Sequence, residues 1–142
     1  MKKIGFIDYY ISEWHANKYP KWIAAACESL GVDYKVGYVW AELDRSPIDG
    51  VSTSEWCEKY GAEQCASIAE LCEKSDAVII LAPSDPDRHL GYAREALPFA
   101  RRAEPRGIFV CVPFVQKIIN KADLYHTFSP SKESSACFSA EA

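Results

Sequence analysis

The chain has 142 residues and a formal net charge of −4 at pH 7. Its hydrophobic fraction of 49% and charged fraction of 25% are those of a globular protein, which excludes a largely disordered or collagen-like chain. A chain of this length buries enough surface to fold without disulfides or metals. It carries no basic run, so we expect no nucleic-acid partner.

We expect a cytoplasmic protein, because the sequence shows neither a membrane span nor a leader. The apolar stretches at residues 77–83 and 108–115 are far shorter than the roughly 20 residues that a membrane span needs. Met1 leads straight into a strand-like segment.

Six cysteines lie at irregular spacings without a C-x-x-C pair: Cys27, Cys57, Cys65, Cys72, Cys111 and Cys137. In a cytoplasmic chain this pattern favours reduced thiols. The spacings among Cys57, Cys65 and Cys72 lack the close pairs that zinc sites use, so we expect no metal.

The first predicted unit is a strand followed by a long helix. Residues 3–7 are mostly apolar and form the strand, residues 12–30 have helical spacing, and Gly31 fits a C-cap. Pro20 removes a backbone donor, so the helix should break or kink near Tyr19. Five apolar residues of the helix can share one face: Trp14, Trp22, Ile23, Ala26 and Leu30.

The middle of the chain adds a strand and two short helices. Residues 34–40 are rich in aromatic and β-branched side chains, which predicts a strand that ends in a polar loop. Ser52 and Ser67 are each followed three residues later by a glutamate, the spacing of a capping box. These signals predict helices over residues 53–60 and 68–74.

The remaining elements complete an α/β pattern. Residues 77–82 form the strongest predicted strand, and their unbroken apolar character is typical of a parallel sheet covered on both faces. A helix over residues 88–97 and a strand over residues 107–112 follow, while residues 129–142 are polar enough to fray. The alternation predicts a doubly wound, mainly parallel sheet in one domain over residues 1–142.

Ligands of such a sheet bind beyond the carboxyl ends of its strands. The candidate loops therefore follow the predicted strand ends at Ile7, Trp40, Ala82 and Val112. After Trp40, both Glu42 and Asp44 are candidates to bind a ribose hydroxyl, and the alternative is that they face water.

The first loop stands where a dinucleotide-binding protein has G-x-G-x-x-G, and all three glycines are absent. Tyr10 places a ring where the diphosphate would lie, while Asp8 and Glu13 add negative charge that costs roughly 1–4 kcal/mol against a phosphate. A nucleotide therefore binds differently here or does not bind. The alternative is a structural role, in which Asp8 caps the helix and Tyr9 and Tyr10 cover the sheet edge.

Two further loops carry candidate chemical groups. His89 follows the strongest strand and is the candidate acid–base residue, the alternative being a helix residue that faces water. His15 could meet it across the sheet edge. Cys111 is a candidate nucleophile beyond the strand at residues 107–112, and a small core residue is the alternative.

The chain resembles the amino-terminal half of the glucose-fructose oxidoreductase and inositol dehydrogenase family (Gfo/Idh/MocA). The matching segments are residues 3–7, 14–16, 58–62, 67–71 and 76–83, with His89. The resemblance covers residues 1–100 and implies a Rossmann-like domain that binds NAD or NADP. Complete members add a second domain and transfer hydride to or from sugars or polyols.

The resemblance also implies cofactor contacts from eight residues: Asp8, Tyr9, Tyr10, Ser12, Glu42, Pro83, Ser84 and Pro113. Two family motifs are altered in this chain. The E-K-P motif aligns with residues 111–113, so Val112 replaces the lysine that assists proton transfer. The T-P-x-x-x-H motif has Asp87 in the histidine position, and His89 is displaced by two residues.

These observations predict the NAD(P)-binding-type domain of such an oxidoreductase, catalytically incompetent as this short chain. The alternative is a non-enzymatic module that binds a small polyol, a metal or a partner chain on a surface made by Asp8, Tyr9, Tyr10, Glu13 and His15. A homo-oligomer would then cover exposed aromatic area. An enzyme that uses Cys111 with His89 is a third class.

Overall fold

A computed structural model of the protein describes residues 1–82 and 85–100. Strands and helices alternate within these ranges: β1 (Lys2–Asp8), α1 (Trp14–Leu30), β2 (Tyr34–Ala41), α2 (Thr53–Tyr60), β3 (Glu63–Gln64), α3 (Ile68–Lys74), β4 (Ala77–Ile80) and α4 (Pro86–Ala100). The strands pair in the order β3-β2-β1-β4, and every pairing is parallel. The predicted α/β fold with a parallel sheet is thereby confirmed, whereas the strand predicted at residues 107–112 and the frayed end at 129–142 lie outside the described residues.

Helices cover both faces of the sheet, as the doubly wound prediction requires. Successive side chains of a strand point to opposite faces, so Phe6 and Ile7 of β1 belong to different hydrophobic clusters. The Phe6 cluster includes Trp56 of α2 and, from α1, Ala16. The Ile7 cluster includes Leu71 of α3 together with α4 residues.

The two capping signals produced helices with the predicted bounds. Ser52 Oγ accepts from Glu55 N at 3.2 Å, and Ser52 N donates to the Glu55 carboxylate at 2.7 Å, which makes a complete capping box. Ser67 also caps its helix, but the carboxylate of Glu70 accepts from Ala66 N at 2.8 Å instead of from Ser67 N. The second signal therefore predicted the helix while only half of the box formed.

Of the predicted break or kink of α1 near Tyr19, the break does not occur and the kink stays a prediction. The helix runs without interruption through Pro20 to Leu30. A proline inside a helix removes one backbone hydrogen bond, and ring contacts here join the turns on either side of it. The Trp14 and Trp22 rings meet edge to face with centroids 5.6 Å apart, and Tyr19 contacts Trp22 at the same distance.

The structure also differs from the predictions at β4, α4 and β3. Strand β4 ends at Ile80 rather than residue 82, because Ala82 adopts φ of 26°, which extended backbone does not allow. Helix α4 begins at Pro86, a residue suited to a first helical turn, instead of residue 88. Strand β3 was not predicted, because its two residues are too short to form a pattern.

Candidate functional site

The carboxyl ends of β1, β2 and β4 meet at one edge of the sheet. Glu42 N, just beyond β2, donates to Asp8 O at 3.1 Å, and Leu81 N, just beyond β4, donates to Ile7 O at 2.8 Å. The strand ends that precede three of the four predicted ligand loops therefore lie side by side. The fourth, after Val112, lies outside the described residues.

Asp8 is a buried carboxyl group at the centre of this edge, with 1% of its surface exposed. Its Oδ1 accepts from Tyr9 N at 2.7 Å, and its Oδ2 has no hydrogen-bond partner among the described residues. Burial, followed by the negative charge of Glu13, raises the pKa of Asp8 from 3.8 to about 8. Asp8 is thus mostly protonated at pH 7, and the predicted repulsion between Asp8 and a phosphate is wrong.

Glu13, rather than Asp8, caps helix α1. Its carboxylate accepts from Ala16 N and lies 3.0 Å from Nδ1 of His15. A helix N-terminus attracts anions, and in dinucleotide-binding folds it faces the diphosphate. Because the Glu13 carboxylate takes up one backbone donor at this end of α1 and adds a negative charge there, the residues present do not fit a diphosphate bound in the usual manner.

Tyr10 is a second residue of the β1–α1 turn that stands in the way of a diphosphate bound in the usual manner. Its ring lies 5.8 Å from the ring of Tyr9, in an edge-to-face arrangement. Burial, then Asp8 and Glu13, raises the pKa of the Tyr10 hydroxyl, so the hydroxyl is neutral under ordinary conditions. The turn thus contains the protonated carboxyl group of Asp8, the neutral hydroxyl of Tyr10 and the carboxylate of Glu13 that caps α1.

Ser12 holds the turn to the loop between β2 and α2. Its hydroxyl donates to Asp49 Oδ2 at 2.7 Å, and its carbonyl accepts from Ser46 Oγ at 3.0 Å. The hydroxyl predicted to contact a cofactor is therefore engaged within the chain. The hydrogen bond from the Ser12 hydroxyl is the largest cause that lowers the pKa of Asp49.

Glu42 lies where a Rossmann domain carries its ribose-binding acid, and both of its carboxylate oxygens are engaged. Arg88 Nη1 lies 3.0 Å from each oxygen, and the Tyr92 hydroxyl donates to Oε2. The hydrogen bond from the Tyr92 hydroxyl is the largest cause that lowers the pKa of Glu42. Burial opposes it, and Arg88 lowers the pKa further. The guanidinium also lies 3.9 Å from the ring centre of Tyr9 and 3.3 Å from Asp85. Arg88 thus links the β1–α1 turn, the end of β2 and the start of α4.

Tyr92 was missed by the sequence analysis, although a signal for it exists. It lies four residues after Arg88, so the two side chains share one face of α4. The Tyr92 ring also meets Trp40 edge to face, with centroids 5.5 Å apart. Asp44, the second ribose candidate, is exposed, and its carbonyl accepts from Thr53 N at 2.7 Å to anchor α2.

His89 lies in the first turn of α4 and is only 4% exposed, so the alternative in which it faces water is wrong. Its acid–base role remains a prediction. His15 contacts Glu13, Trp14 and Tyr19, and its meeting with His89 stays a prediction. The other predicted site residues, Pro83, Ser84, Cys111 and Pro113, lie outside the described residues.

The described cysteines are free thiols: Cys27, Cys57, Cys65 and Cys72. Burial raises the pKa of Cys57, Cys65 and Cys72 to about 11, which keeps them protonated and unreactive. Within residues 1–82 and 85–100, no three His, Cys, Asp or Glu side chains are grouped closely enough to hold a metal ion. In the same ranges, no helix has the length and apolar character required to cross a membrane.

No protein-family model matches this sequence, and no curated protein matches it. Two solved structures of UDP-N-acetylglucosamine 3-dehydrogenase GnnA from Acidithiobacillus ferrooxidans are similar to it, with TM-scores of 0.54 and 0.51 at 17% and 18% identity. Each match covers 88% of this chain and 36% of that one. The crystal structure of an NAD-binding protein from Listeria innocua gives a TM-score of 0.55 at 16% identity, over 88% of this chain and 32% of that one.

The chain has a Rossmann-like fold. The strand order, the parallel pairing and these structural likenesses agree on this point. The chain spans about a third of the length of the proteins that it matches.

Proposed function

We propose that this chain is the NAD(P)-binding-type domain of an oxidoreductase related to the Gfo/Idh/MocA family, with its diphosphate position closed. The observation that carries the proposal is the position of Glu42, directly beyond β2 and bonded to the β1–α1 turn, where a Rossmann domain holds a ribose. The similarity of the fold to a dehydrogenase and to an NAD-binding protein supports it.

The closure rests on two groups in the β1–α1 turn. The carboxylate of Glu13 satisfies the N-terminus of α1, and the ring of Tyr10 takes the place of a glycine. A diphosphate would have to displace the first and avoid the second, at the cost of like-charge repulsion. Without that anchor, the described residues provide no usual site for the diphosphate of a cofactor, and sugar or polyol chemistry would depend on residues beyond those described.

Calorimetric titration with NAD+, NADH, NADP+ and NADPH tests the proposal. We expect the parent chain to bind with a dissociation constant above about 1 mM, corresponding to less than about 4 kcal/mol. The double variant Tyr10→Gly, Glu13→Ser keeps a capping oxygen and removes the ring and the charge. It should bind at least about tenfold more tightly, because one repulsive contact of roughly 1.4 kcal/mol is lost.

A matched control is Tyr10→Gly, Glu13→Asp, which also removes the ring but retains the charge, and it should bind more weakly than the Tyr10→Gly, Glu13→Ser variant. Tight binding by the parent would overturn the closure. Absence of saturable binding in every variant would overturn the nucleotide-binding proposal and favour a non-enzymatic module that binds a small ligand or dimerises.

A further inference from the structure

The outer face of α1 is unusually apolar for a surface helix. Trp14 is 58% exposed, Trp22 is 50% exposed and Leu30 is 70% exposed. Ala24, Ala25 and Ala26 between them are exposed as well. Ala16, on the side of the helix away from Trp14 and Trp22, is its one fully buried residue and packs on the sheet. Of the apolar residues predicted to share a face, Trp14, Trp22, Ala26 and Leu30 are exposed, whereas Ile23 is half-buried against the core. The exposed Trp14 and Trp22 rings contact each other, and exposed aromatic area of this kind marks an interaction surface.

The charges on this face are ordered along the helix. Lys18 and Lys21 lie on its amino-terminal half, and Glu28 lies on its carboxyl-terminal half. Within the described residues, neither Lys21 nor Glu28 forms an ion pair. Lys21 and Glu28 are two helical turns apart, so they project from nearly the same side, separated by about 10.5 Å along the axis.

This arrangement is complementary to itself when a second α1 runs in the opposite direction. The midpoint between Lys21 and Glu28 falls between Ala24 and Ala25, where small side chains let two helices approach closely. A two-fold axis at that point places Lys21 of each copy opposite Glu28 of the other, because an isologous contact exchanges positions about its axis. In the same register, Trp22 lies level with Cys27 of the second copy, and Ala25 lies level with Ala24 of the second copy.

We propose that the exposed face of α1, comprising Lys18, Lys21, Trp22, Ala25, Glu28 and Ser29, pairs in an antiparallel fashion with the same face of a second copy of this chain. The proposal does not depend on nucleotide binding. A single helix face buries less than the roughly 800 Å² per partner of a stable interface, so the dimer dissociates on dilution. Its two Lys21–Glu28 pairs give it direction and register, because electrostatic complementarity specifies partners more than it adds affinity.

Sedimentation equilibrium of the full chain, from about 1 µM to about 1 mM, tests the pairing. The parent should shift from monomer to dimer within this range. Lys21→Glu and Glu28→Lys should each weaken the dimer by about tenfold, because each places like charges opposite one another twice. The double variant Lys21→Glu, Glu28→Lys restores opposite charges and should dimerise within about threefold of the parent.

Mixing the two single variants gives a second readout. Lys21→Glu carries only acids and Glu28→Lys carries only lysines at the paired positions, so a mixture should form more dimer than either variant alone. Lys59→Glu, an exposed substitution on α2, is the matched control and should leave the dimer unchanged. Circular dichroism verifies that every variant folds.

A parent chain that stays monomeric throughout the range would overturn the proposal and leave this face for a different protein partner. Dimerisation that ignores both charge reversals would place the interface elsewhere and equally overturn it.

Discussion

Asp8 and Glu42 are carboxyl groups at the ends of adjacent strands, yet they carry opposite protonation states. Asp8 is buried, faces a negative neighbour in Glu13, and has its pKa raised to about 8. Glu42 is partly exposed, accepts from Arg88 and Tyr92, and has its pKa lowered. One backbone hydrogen bond joins the two residues.

The difference shows that position at a strand end does not decide the charge of a carboxyl group. Desolvation without a cation favours the neutral acid, whereas a guanidinium and a phenol favour the carboxylate. At this edge of the sheet, the carboxyl group at the end of β1 is therefore neutral, and the carboxylate just beyond β2 is paired with side chains of the same chain. Neither half offers a free anion or cation to a ligand without rearrangement.

The largest expected effect comes from Asp8→Asn, which replaces a protonated acid with a neutral amide of the same shape. Between pH 3.8, its ordinary pKa, and about 8, folded Asp8 holds a proton that the unfolded chain lacks. The free energy of unfolding of the parent should therefore fall with rising pH, by up to about 1.4 kcal/mol per pH unit. The variant should lose this slope and exceed the parent in stability at about pH 9, as measured by urea denaturation.

Glu42→Gln is the opposing control for this experiment. The lowered pKa of Glu42 contributes stability above its unfolded value and loses it as pH falls. The variant should therefore be less stable than the parent at neutral pH and should approach it in acid. Parallel pH profiles for the Asp8 and Glu42 variants would show that the two carboxyl groups do not differ.

A smaller effect is expected from Glu13→Gln, which keeps a capping oxygen while removing the charge near Asp8. The pKa of Asp8 should fall, because Glu13 is the second cause of its rise. It should stay above 3.8, because burial is the first cause and does not change. A carboxyl-resolved NMR titration measures this shift, and an unchanged Asp8 pKa would contradict the electrostatic link.

The smallest effect is expected from Tyr92→Phe, which removes the hydroxyl from the Glu42 carboxylate. The pKa of Glu42 should rise toward 4.5, because this hydrogen bond is the largest cause that lowers it. Stability should fall by about 1 kcal/mol, a typical net value for one hydrogen bond. NMR titration and thermal unfolding measure the two quantities, and Tyr60→Phe on α2 serves as a hydroxyl control away from the edge. A Glu42 pKa unchanged by Tyr92→Phe would show that Arg88 alone sets it.

Local signals in the sequence predicted helices and strands well where residues close in the sequence form hydrogen bonds with each other. The helix over Thr53–Tyr60 follows from Ser52 and Glu55, which bond across three residues. Gly31 and Gly61 end their helices at φ of 65° and 66°, a conformation that glycine adopts without strain. These helix ends depend on a few residues that are close in the sequence, so the sequence pattern was enough to predict them.

The site was harder to predict, because its contacts join distant positions. Arg88 meets Glu42 across 46 positions, and Tyr92 meets it across 50. The charge of Asp8 was predicted wrongly, because the sequence shows a carboxyl group and not the burial around it. The sequence shows apolar residues along α1, but which of them are exposed depends on which side of the helix contacts the sheet.

By itself, the sequence determined the alternation of strands and helices, the parallel character of the sheet and the loss of the glycine-rich turn. These properties follow from local hydrogen bonding, apolar periodicity and residue identity. Only the tertiary structure decided that Asp8 is neutral, that Glu13 fills the end of α1 and that Arg88 closes over Glu42. Burial and long-range pairing set the free energy of a charge, and both exist only after the strands have come together.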